Sequence, residues 1–449
     1  MFLISCDKDR FETHDPEGNP TTMTVAISFP QSATRSAISN PYGTEDESAI
    51  NTVDVFIYHT ASGNFVSHTQ LTGSDFTYKD GTGNNLHESK AGAKILTTTG
   101  KKTVFAGINL PSAIVKSLDG EHVSALSNAV QQITKDDLIG SDRKNFAMFS
   151  VKGVEEVFHE DESLNKVTVE CRRLVAKVTV EQASDMKVDG VAGKLANLMY
   201  AINGFNQKMF LLQGGAPFKD PNWSIGSYNP NDFVNYYYGE NDYEAVATFV
   251  NSVTISSTPL YASENTSEGK TKKELTRATV RGQFIPKEFA VWDGSAKTLT
   301  FEDNPNYATG AYKSFFAVAA PILGGTYYFD TKAMADAFAD DKNAEFGYDP
   351  DSKEYIEESF EYINGYCYWD IFLNRNTLTA ANRWDVLRND FYMCKIARIS
   401  TPGRSGPELD APGGGGGSEN PNITPDYDTN ISVDIQILDW NFTETDYDL

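Results

Sequence analysis

Two glycine-containing stretches of the sequence approach the pattern of a phosphate-binding loop, and each lacks a residue that the chemistry needs. Gly100-Lys101 has the end of such a loop, but Ile95 stands at the first glycine position and Lys102 replaces the Ser or Thr that would bind magnesium. Gly81-Thr82-Gly83 begins like a dinucleotide fingerprint, but Leu86 stands where its third glycine belongs. We therefore expect no nucleotide cofactor.

Residues that could bind metal ions are also present without the spacing of a metal site. Asp341, Asn343 and Glu345 match the start of a calcium loop, but the required glycine falls one position late, at Gly347. No two histidines have the i, i+4 spacing of a zinc-binding helix; they are His14, His59, His68, His87, His122 and His159. We predict no metal, no cofactor and no catalytic residue, and hence a protein that is not an enzyme.

Three of the four cysteines, Cys171, Cys367 and Cys394, have no CxxC spacing, which argues against a zinc site. Cys171 is in phase with Val167 and Val169 on a predicted strand, so we expect a buried free thiol. The sequence leaves open whether Cys367 and Cys394 form a disulfide.

Cys6 is the remaining cysteine, and its surroundings resemble a lipidation signal. Leu3-Ile4-Ser5-Cys6 is similar to a bacterial lipobox, and Asp7-Lys8-Asp9 is similar to an acidic export signal of surface lipoproteins. The charged and apolar regions of a signal peptide would have to precede Leu3. Either the true precursor starts upstream of Met1, or the match is coincidental.

Arg35 could serve as a protease site next to a removable strand. Met23, Val25, Ile27 and Phe29 alternate with smaller or polar residues, which predicts a strand with one apolar face. Arg35 follows within a small, polar run, where a protease could cut between Arg35 and Ser36. Loss of the strand would then leave an empty groove; the alternative is a permanent edge strand followed by an ordinary surface arginine.

A second alternating strand lies near the C-terminus. Ile431, Val433, Ile435 and Ile437 would share one face, so this strand could replace the first in the same groove. Ser400 to Thr429 contains five prolines and the Gly413–Gly417 run. Such a tether has a relaxed reach on the order of 30 Å and an extended reach of roughly 100 Å. The alternative is a strand that folds back into its own domain.

Composition is typical of a β-rich secreted protein. The chain has 449 residues, long enough for two or three domains, and 12% of them are aromatic. There are 62 acidic and 38 basic residues, giving a net charge of −24, which argues against nucleic acid or anionic lipid as a partner. No stretch approaches the roughly 20 apolar residues of a membrane-spanning helix.

Several further elements are predicted from periodicity. A polar break at residues 159–163 is taken as the boundary between two β-rich domains, 36–163 and 164–399, preceded by a leader with the removable strand (1–35) and followed by the tether and C-terminal strand (400–449). Helices are expected at 122–133 and 333–338. The other strands are expected at 53–58, 103–108, 166–170, 174–180, 278–285, 326–329, 366–373 and 391–399.

Taken in order, these segments resemble the fimbrillins of the type V pilus, and most of all the shaft subunit of short, Mfa-type fimbriae. The similarity covers the N-terminal strand and most of 166–449, with Cys171-Arg172 as a departure within the domain-opening motif. The segments that carry it are Met23 to Arg35, Lys166 to Glu170 with Arg173 to Lys177, Val280 to Lys287, Tyr362 to Gly365 with Leu373-Asn374, Val386 to Tyr392 leading into Ile396 and Ile399, Ile431 to Trp440, and the acidic tail Asp446 to Leu449.

The resemblance implies a mainly β fold of two transthyretin-like β-sandwich domains with a C-terminal donor-strand extension. It further implies a precursor anchored in the outer membrane through lipid on Cys6, and cleavage after Arg35 by an arginine-specific protease. The strand of Met23, Val25, Ile27 and Phe29 would then be displaced by a donor strand from another copy (Ile431, Val433, Ile435, Ile437 and Trp440). The product would be a cell-surface fimbria that contains tip and anchor fimbrillins and supports adhesion and biofilm formation.

A monomeric surface lipoprotein that binds a glycan or another ligand is the alternative function. Trp223 and Tyr236-Tyr237-Tyr238 could form a sugar platform, or could be ordinary aromatic residues of a β-sandwich and its loops. Such a binder would need neither a removable strand nor a tethered second one.

Overall fold

The structure is a computed structural model of the whole chain. The residues that it describes are 18–29, 44–79, 86–130, 132–188, 192–213, 218–222, 229–236, 239–247, 249–250, 253–254, 258–268, 270–351, 355–357, 359–373, 384–412 and 431–439. They form two compact units. Unit 1 comprises 1–174, 210–218 and 439–449, and unit 2 comprises 175–209 and 219–438.

Unit 1 is built around a large β-sheet. The strand order in this sheet is β3-β2-β7-β9-β11-β1-β5-β4, with β10 beside β7 and β6 beside β1. Its helices are the short α1 (Glu45–Ser48), α2 (Ser112–Leu118) and α3 (Lys135–Ile139). The strands are β1 (Pro20–Ser28), β2 (Thr52–His59), β3 (Phe65–Thr72), β4 (Phe76–Lys79), β5 (Leu86–Ser89), β6 (Ile95–Thr98), β7 (Gly100–Ile108), β8 (Ala129–Val130), β9 (Met148–Ser150), β10 (Val154–Phe158) and β11 (Lys166–Arg173).

Unit 2 is also mainly β and has two principal sheets, with the strand orders β19-β12-β27-β28 and β15-β13-β20-β26. Its helices are α4 (Pro305–Thr309) and α5 (Lys332–Phe346). The strands are β12 (Val175–Val188), β13 (Gly193–Asn206), β14 (Met209–Phe210), β15 (Phe233–Asn235), β16 (Glu244–Ala245), β17 (Phe249–Val250), β18 (Val253–Thr254), β19 (Leu260–Ser263), β20 (Arg277–Pro286), β21 (Glu288–Asp293), β22 (Thr298–Asp303), β23 (Phe315–Ala320), β24 (Gly325–Phe329), β25 (Phe360–Tyr362), β26 (Tyr366–Phe372), β27 (Asp390–Ile399) and β28 (Ile431–Asp439).

The mainly β fold class is confirmed, and so are most of the predicted strands. The removable strand lies in β1, the two central runs of the first unit lie in β2 and β7, and the C-terminal strand is β28. Cys171 is a buried free thiol, as expected. Within the described residues, no helix is long and apolar enough to cross a membrane.

Two helix predictions differ from the structure. The run 122–133 forms a short 3-10 helix, Val123–Ser127, followed by the brief strand β8. Leu126 and Ile133 are buried, but the segment between them is not one continuous helix. The apolar residues that the sequence spacing assigns to one helix face are instead distributed over the 3-10 helix, the strand and the residues that follow. The helix expected at 333–338 extends to Phe346. It is capped at its start by Thr331, and it ends where Gly347 adopts a left-handed conformation.

The junction of the two units lies further along the chain than the polar break. The sequence predicts that the strand at 166–170 belongs to the second domain, but this strand, β11, pairs with β1 in unit 1, and the chain divides at 174/175. Cys367 and Cys394 are both buried and both free. They cannot pair without rearrangement, because Cys367 lies on β26 and Cys394 on β27, which belong to different sheets.

The first part of the predicted tether is packed against unit 2. Arg404 forms a backbone bridge with Tyr368, and its guanidinium lies 2.6 Å from the buried carboxylate of Asp370. Tyr362 donates a hydrogen bond to the Gly403 carbonyl at 2.7 Å. The prediction of a tether that begins at Ser400 is therefore wrong for residues 400–412, because Pro and Gly composition does not reveal a buried ion pair.

Candidate functional site

The strand β1 is an interior strand of the unit 1 sheet. One of its edges pairs in parallel with β11, from Thr24 opposite Lys166 to Ser28 opposite Glu170. Its other edge pairs antiparallel with β6, from Pro20 to Met23, and then with β5 at Ala26 and Ile27. Because both backbone edges of β1 are in use, its removal would leave unpaired groups on two neighbouring sides of the gap.

The apolar face of β1 fills part of the core of unit 1. Met23, Val25, Ile27 and Phe29 are 0–3% exposed, whereas the residues between them are half-buried. The alternation predicted from the sequence is thus present at all four positions. Burial of four such side chains stabilises the folded unit by about 6–12 kcal/mol before the cost of ordering the strand. Removal of β1 would leave four apolar pockets in a row.

Asn165 binds the first half of β1 through its side chain and its backbone. Its amide nitrogen donates to Thr21 Oγ1 at 3.1 Å, to the Thr22 carbonyl at 2.9 Å and to the His159 carbonyl at 2.8 Å. Its own carbonyl accepts a hydrogen bond from the Thr24 amide at 3.0 Å. Asn165 is fully buried, so these bonds are shielded from water.

The other end of β1 packs against His87 on β5. The rings of Phe29 and His87 meet edge to face with centroids 5.8 Å apart, and Tyr78 lies 5.1 Å from the same imidazole. Burial lowers the pKa of His87 to about 4, because the charged imidazolium would lose its hydration there. His87 is therefore neutral at physiological pH and behaves as part of the apolar groove.

The C-terminal strand β28 occupies a different kind of position. It lies at the edge of the four-stranded sheet of unit 2, beside β27. Val433 and Ile435 are half-buried and pack against the core of that unit. In this single chain, therefore, the strand is paired within unit 2, which was the alternative left open by the sequence.

Several predicted site residues lie outside the described residues: Cys6, Arg35, Ser36 and Trp440. The side chains of Ile431 and Ile437 also lie outside what the structure describes, although their backbones belong to β28. Trp223, Tyr237 and Tyr238 lie outside it too. Tyr236 is half-buried, packs edge to face on Phe205 with centroids 5.9 Å apart, and its amide donates to Asn203 at 2.6 Å.

Sequence reasoning missed Asn165 and His87. Asn165 sits between a polar break and a strand, where an asparagine is an ordinary turn residue, and nothing local indicates that its amide reaches residues about 140 positions away. His87 precedes Glu88 in a short polar-looking strand. It contacts Phe29, a residue distant in the sequence.

Two family models match the chain. A model described as major fimbrial subunit protein (FimA) matches residues 21–170, the part that contains β1, the strands around it and Asn165. A model described as major fimbrial subunit protein type IV, fimbrillin, C-terminal, matches residues 360–446, which include β26, β27 and β28. No curated protein matches the chain.

Several solved structures are similar to the chain along most of its length. A proposed cell adhesion protein from Parabacteroides distasonis ATCC 8503 is 12% identical over 94% of this chain and 100% of that one, with a TM-score of 0.47. A fimbrilin (FimA) from Porphyromonas gingivalis W83 is 11% identical over 96% and 99%, with a TM-score of 0.46. The tip fimbrial protein Mfa3 from Porphyromonas gingivalis is 11% identical over 94% and 100%, with a TM-score of 0.40.

Proposed function

We propose that this chain, a fimbrial subunit by family, forms the shaft of a fimbria and polymerises by proteolysis-triggered strand exchange. The observation that carries this proposal is the position of β1. This interior strand has four buried side chains, and Arg35 follows the last of them, Phe29, by six residues. A cut after Arg35 separates β1 from the rest of the chain, so the strand can leave and open a groove.

The strand that fills the groove is β28 of a second copy. It presents the same alternation of apolar residues, and as an edge strand it can leave its own sheet by breaking one line of backbone pairing. Eighteen residues separate the docked Pro412 from Ile431, a length that spans at most roughly 60 Å when extended. Strand addition then combines main-chain hydrogen bonds with side chains in alternate pockets.

Maturation follows from the same scheme. The precursor is held at the outer membrane by lipid on Cys6, and cleavage between Arg35 and Ser36 by an arginine-specific protease releases both the anchor and β1. Other copies of the chain, with tip and anchor fimbrillins, are then its partners at the cell surface, where the fibre supports adhesion and biofilm formation. Of the four aromatic residues of the alternative glycan platform, the structure describes Tyr236, which packs on Phe205.

Replacement of Arg35 tests the trigger. The variant Arg35→Ala should give folded monomer that keeps β1 and forms no fibres, whereas the neighbouring Ser32→Ala should assemble normally. Electron microscopy of the cell surface and the N-terminal residue of the recovered protein are the measurements. Fibres of normal length from Arg35→Ala would contradict the proposal, and so would a mature N-terminus other than Ser36.

Replacement of Cys6 tests the anchor separately. Bacterial lipoproteins carry more than one acyl chain, which gives stable membrane attachment, whereas a single chain binds only marginally. The variant Cys6→Ala should therefore be missing from the outer-membrane fraction. Unchanged fractionation would exclude lipidation at this residue while leaving the strand-exchange proposal untouched.

A further inference from the structure

A lysine is fully enclosed in unit 2, close to two acyl groups. The Nζ atom of Lys270 lies 2.7 Å from Asp220 Oδ2 and 2.5 Å from Asn265 Oδ1. The side chains of Lys270 and Asp220 are 0% and 1% exposed. The ring of Phe233 covers the amine, with its centroid 5.2 Å from Nζ. Water is thus kept away from an amine and a carboxyl group that are in direct contact.

The carboxyl group of Asp220 is held in one orientation by hydrogen-bond donors. Its Oδ2 accepts from the Thr266 amide at 2.5 Å and from Thr266 Oγ1 at 2.8 Å, and its Oδ1 accepts from the Asn222 amide at 2.6 Å. Donors placed on one carboxyl oxygen also stabilise the negative charge that this oxygen would carry in a tetrahedral intermediate. The arrangement is therefore suited to attack at the Asp220 carbonyl carbon.

The surroundings favour the uncharged form of the Lys270 amine. Burial lowers the pKa of Lys270, although Asp220 opposes this, and a neutral amine is the nucleophilic form. Burial also raises the pKa of Asp385, whose Oδ1 accepts from the amide and hydroxyl of Ser267 at 2.7 Å each. Asp385 interacts electrostatically with both Lys270 and Asp220, so a buried acid that can carry a proton belongs to the same cluster.

We propose that Lys270 and Asp220 condense into an intramolecular isopeptide bond. Within the ion pair, one proton passes from the ammonium group to the carboxylate, which gives a neutral amine and a carboxylic acid. Nζ then attacks Cγ, the Nζ–Cγ bond forms and the Cγ–Oδ1 bond breaks. Oδ1 leaves as one water molecule with the acid proton and one proton from the amine, while Oδ2 remains as the amide oxygen on the Thr266 donors. The reaction needs neither an oxidant nor a co-reactant.

Asp220 is the better acceptor of the two acyl groups that touch Lys270. The side-chain nitrogen of Asn265 donates to the Glu274 carbonyl at 2.7 Å and to Thr276 Oγ1 at 3.0 Å. Loss of this nitrogen as ammonia would leave buried acceptors without a donor, which costs free energy. Condensation with Asp220 removes no such donor, because the group that leaves is a carboxyl oxygen.

The bond would join two loop segments of unit 2. Asp220 follows β14, and Lys270 lies between β19 and β20, so the crosslink closes a ring that contains β15 through β19. A covalent closure of this kind limits how far the chain can be extended by force between residues 220 and 270. Its formation does not depend on strand exchange, and its test is independent of fibre assembly.

Intact-mass measurement of the denatured, uncut protein tests the proposal directly. The mass should be lower than the sequence mass by one water molecule. Proteolytic mapping should yield a branched peptide that joins the segments around Asp220 and Lys270, with Lys270 resistant to trypsin and to acetylation. An unchanged mass with a reactive Lys270 would overturn the proposal and leave a buried ion pair. Loss of one ammonia with a branch at Asn265 would overturn the assignment of the acceptor.

A matched pair of variants identifies the amine. The variant Lys270→Arg keeps the positive charge but cannot form the amide, and should show the full sequence mass. The variant Lys272→Arg changes a buried lysine two residues away and should retain the loss of one water. Because the amide forms only in the folded chain, each variant is first shown by circular dichroism and thermal melting to be folded, and its mass is then read on denatured protein. A water loss that persists in Lys270→Arg would place the crosslink elsewhere and contradict the proposal.

Discussion

The strands β1 and β28 have the same alternating pattern but occupy different positions in their sheets. β1 lies inside the unit 1 sheet between β11 on one side and β5 and β6 on the other, and all four of its apolar side chains are at most 3% exposed. β28 lies at the edge of a unit 2 sheet with β27 as its neighbour, and Val433 and Ile435 are half-buried. The pattern sets which face is apolar, whereas the sheet position sets how much free energy the strand contributes.

This difference gives the proposed exchange a direction. Unit 1 loses a central part of its core when β1 leaves, so binding of a replacement strand in the vacated groove is strongly favourable. Unit 2 loses one edge strand when β28 leaves, at a lower cost. A strand that moves from an edge position into an interior groove gains backbone pairing on a second side and fuller burial of its apolar face.

The largest expected effect comes from a charge on the buried face of β1. In uncut protein, Val25→Lys should lower the free energy of unfolding by about 3–5 kcal/mol, because the ammonium group would be buried without a partner. Ala26→Lys is the matched control, since residue 26 points to the half-buried face opposite Glu88. Denaturant unfolding measures both. Equal losses for the two variants would show that the two faces of β1 do not differ in burial.

The next largest effect is expected from protonation of His87, which should lower the free energy of unfolding of unit 1. Its folded pKa of about 4 lies below the ordinary value of 6.5, so the unfolded chain binds the proton first as the pH falls. Stability is therefore complete above about pH 6.5 and is lost progressively down to about pH 4, by up to about 3 kcal/mol. The variant His87→Phe should remove this contribution from the pH profile of unfolding. An unchanged profile would mean that His87 is not buried by β1.

A smaller effect is expected when the hydrogen bonds of Asn165 to β1 are removed. Asn165→Ala should cost about 1–3 kcal/mol in uncut protein, since the buried partners of the side chain lose their donor. After cleavage at Arg35, the same variant should also release β1 faster, which can be followed by the dissociation rate of the N-terminal fragment. An unchanged release rate would show that Asn165 does not retain β1 after cleavage.

The smallest effect on the uncut chain is expected at β28, although the effect on fibres is complete. Because Ile435 is half-buried at a sheet edge, Ile435→Asp should lower the stability of uncut protein by about 1 kcal/mol. It should nevertheless block fibres, since in the groove the charge would be fully buried. Gln436→Asp changes a position that is out of phase with Ile435 in the sequence alternation, and it should assemble normally in electron microscopy. If Ile435→Asp instead leaves the uncut protein unfolded, β28 is an essential strand of unit 2 and the exchange proposal is wrong.

Local patterns predicted the strands well, because alternation and β-branched residues act within a few positions. Met23 to Phe29 specified a strand with one apolar face, and Cys171 in phase with Val167 and Val169 specified a buried thiol. The helix expected at 122–133 was wrong, since apolar spacing there is shared by a 3-10 helix and a short strand. The docking of residues 400–412 was missed because it depends on the buried Arg404–Asp370 pair.

By itself, the sequence determined the mainly β class, the faces of β1 and β28 and the resemblance to fimbrillins. The tertiary structure decided that β1 is interior while β28 is at an edge, since a strand's neighbours are chosen by long-range pairing, such as Thr24 with Lys166. It also decided that Asn165 holds β1 and that Lys270 meets Asp220 away from water. Those contacts join residues far apart in the chain, and no local periodicity encodes them.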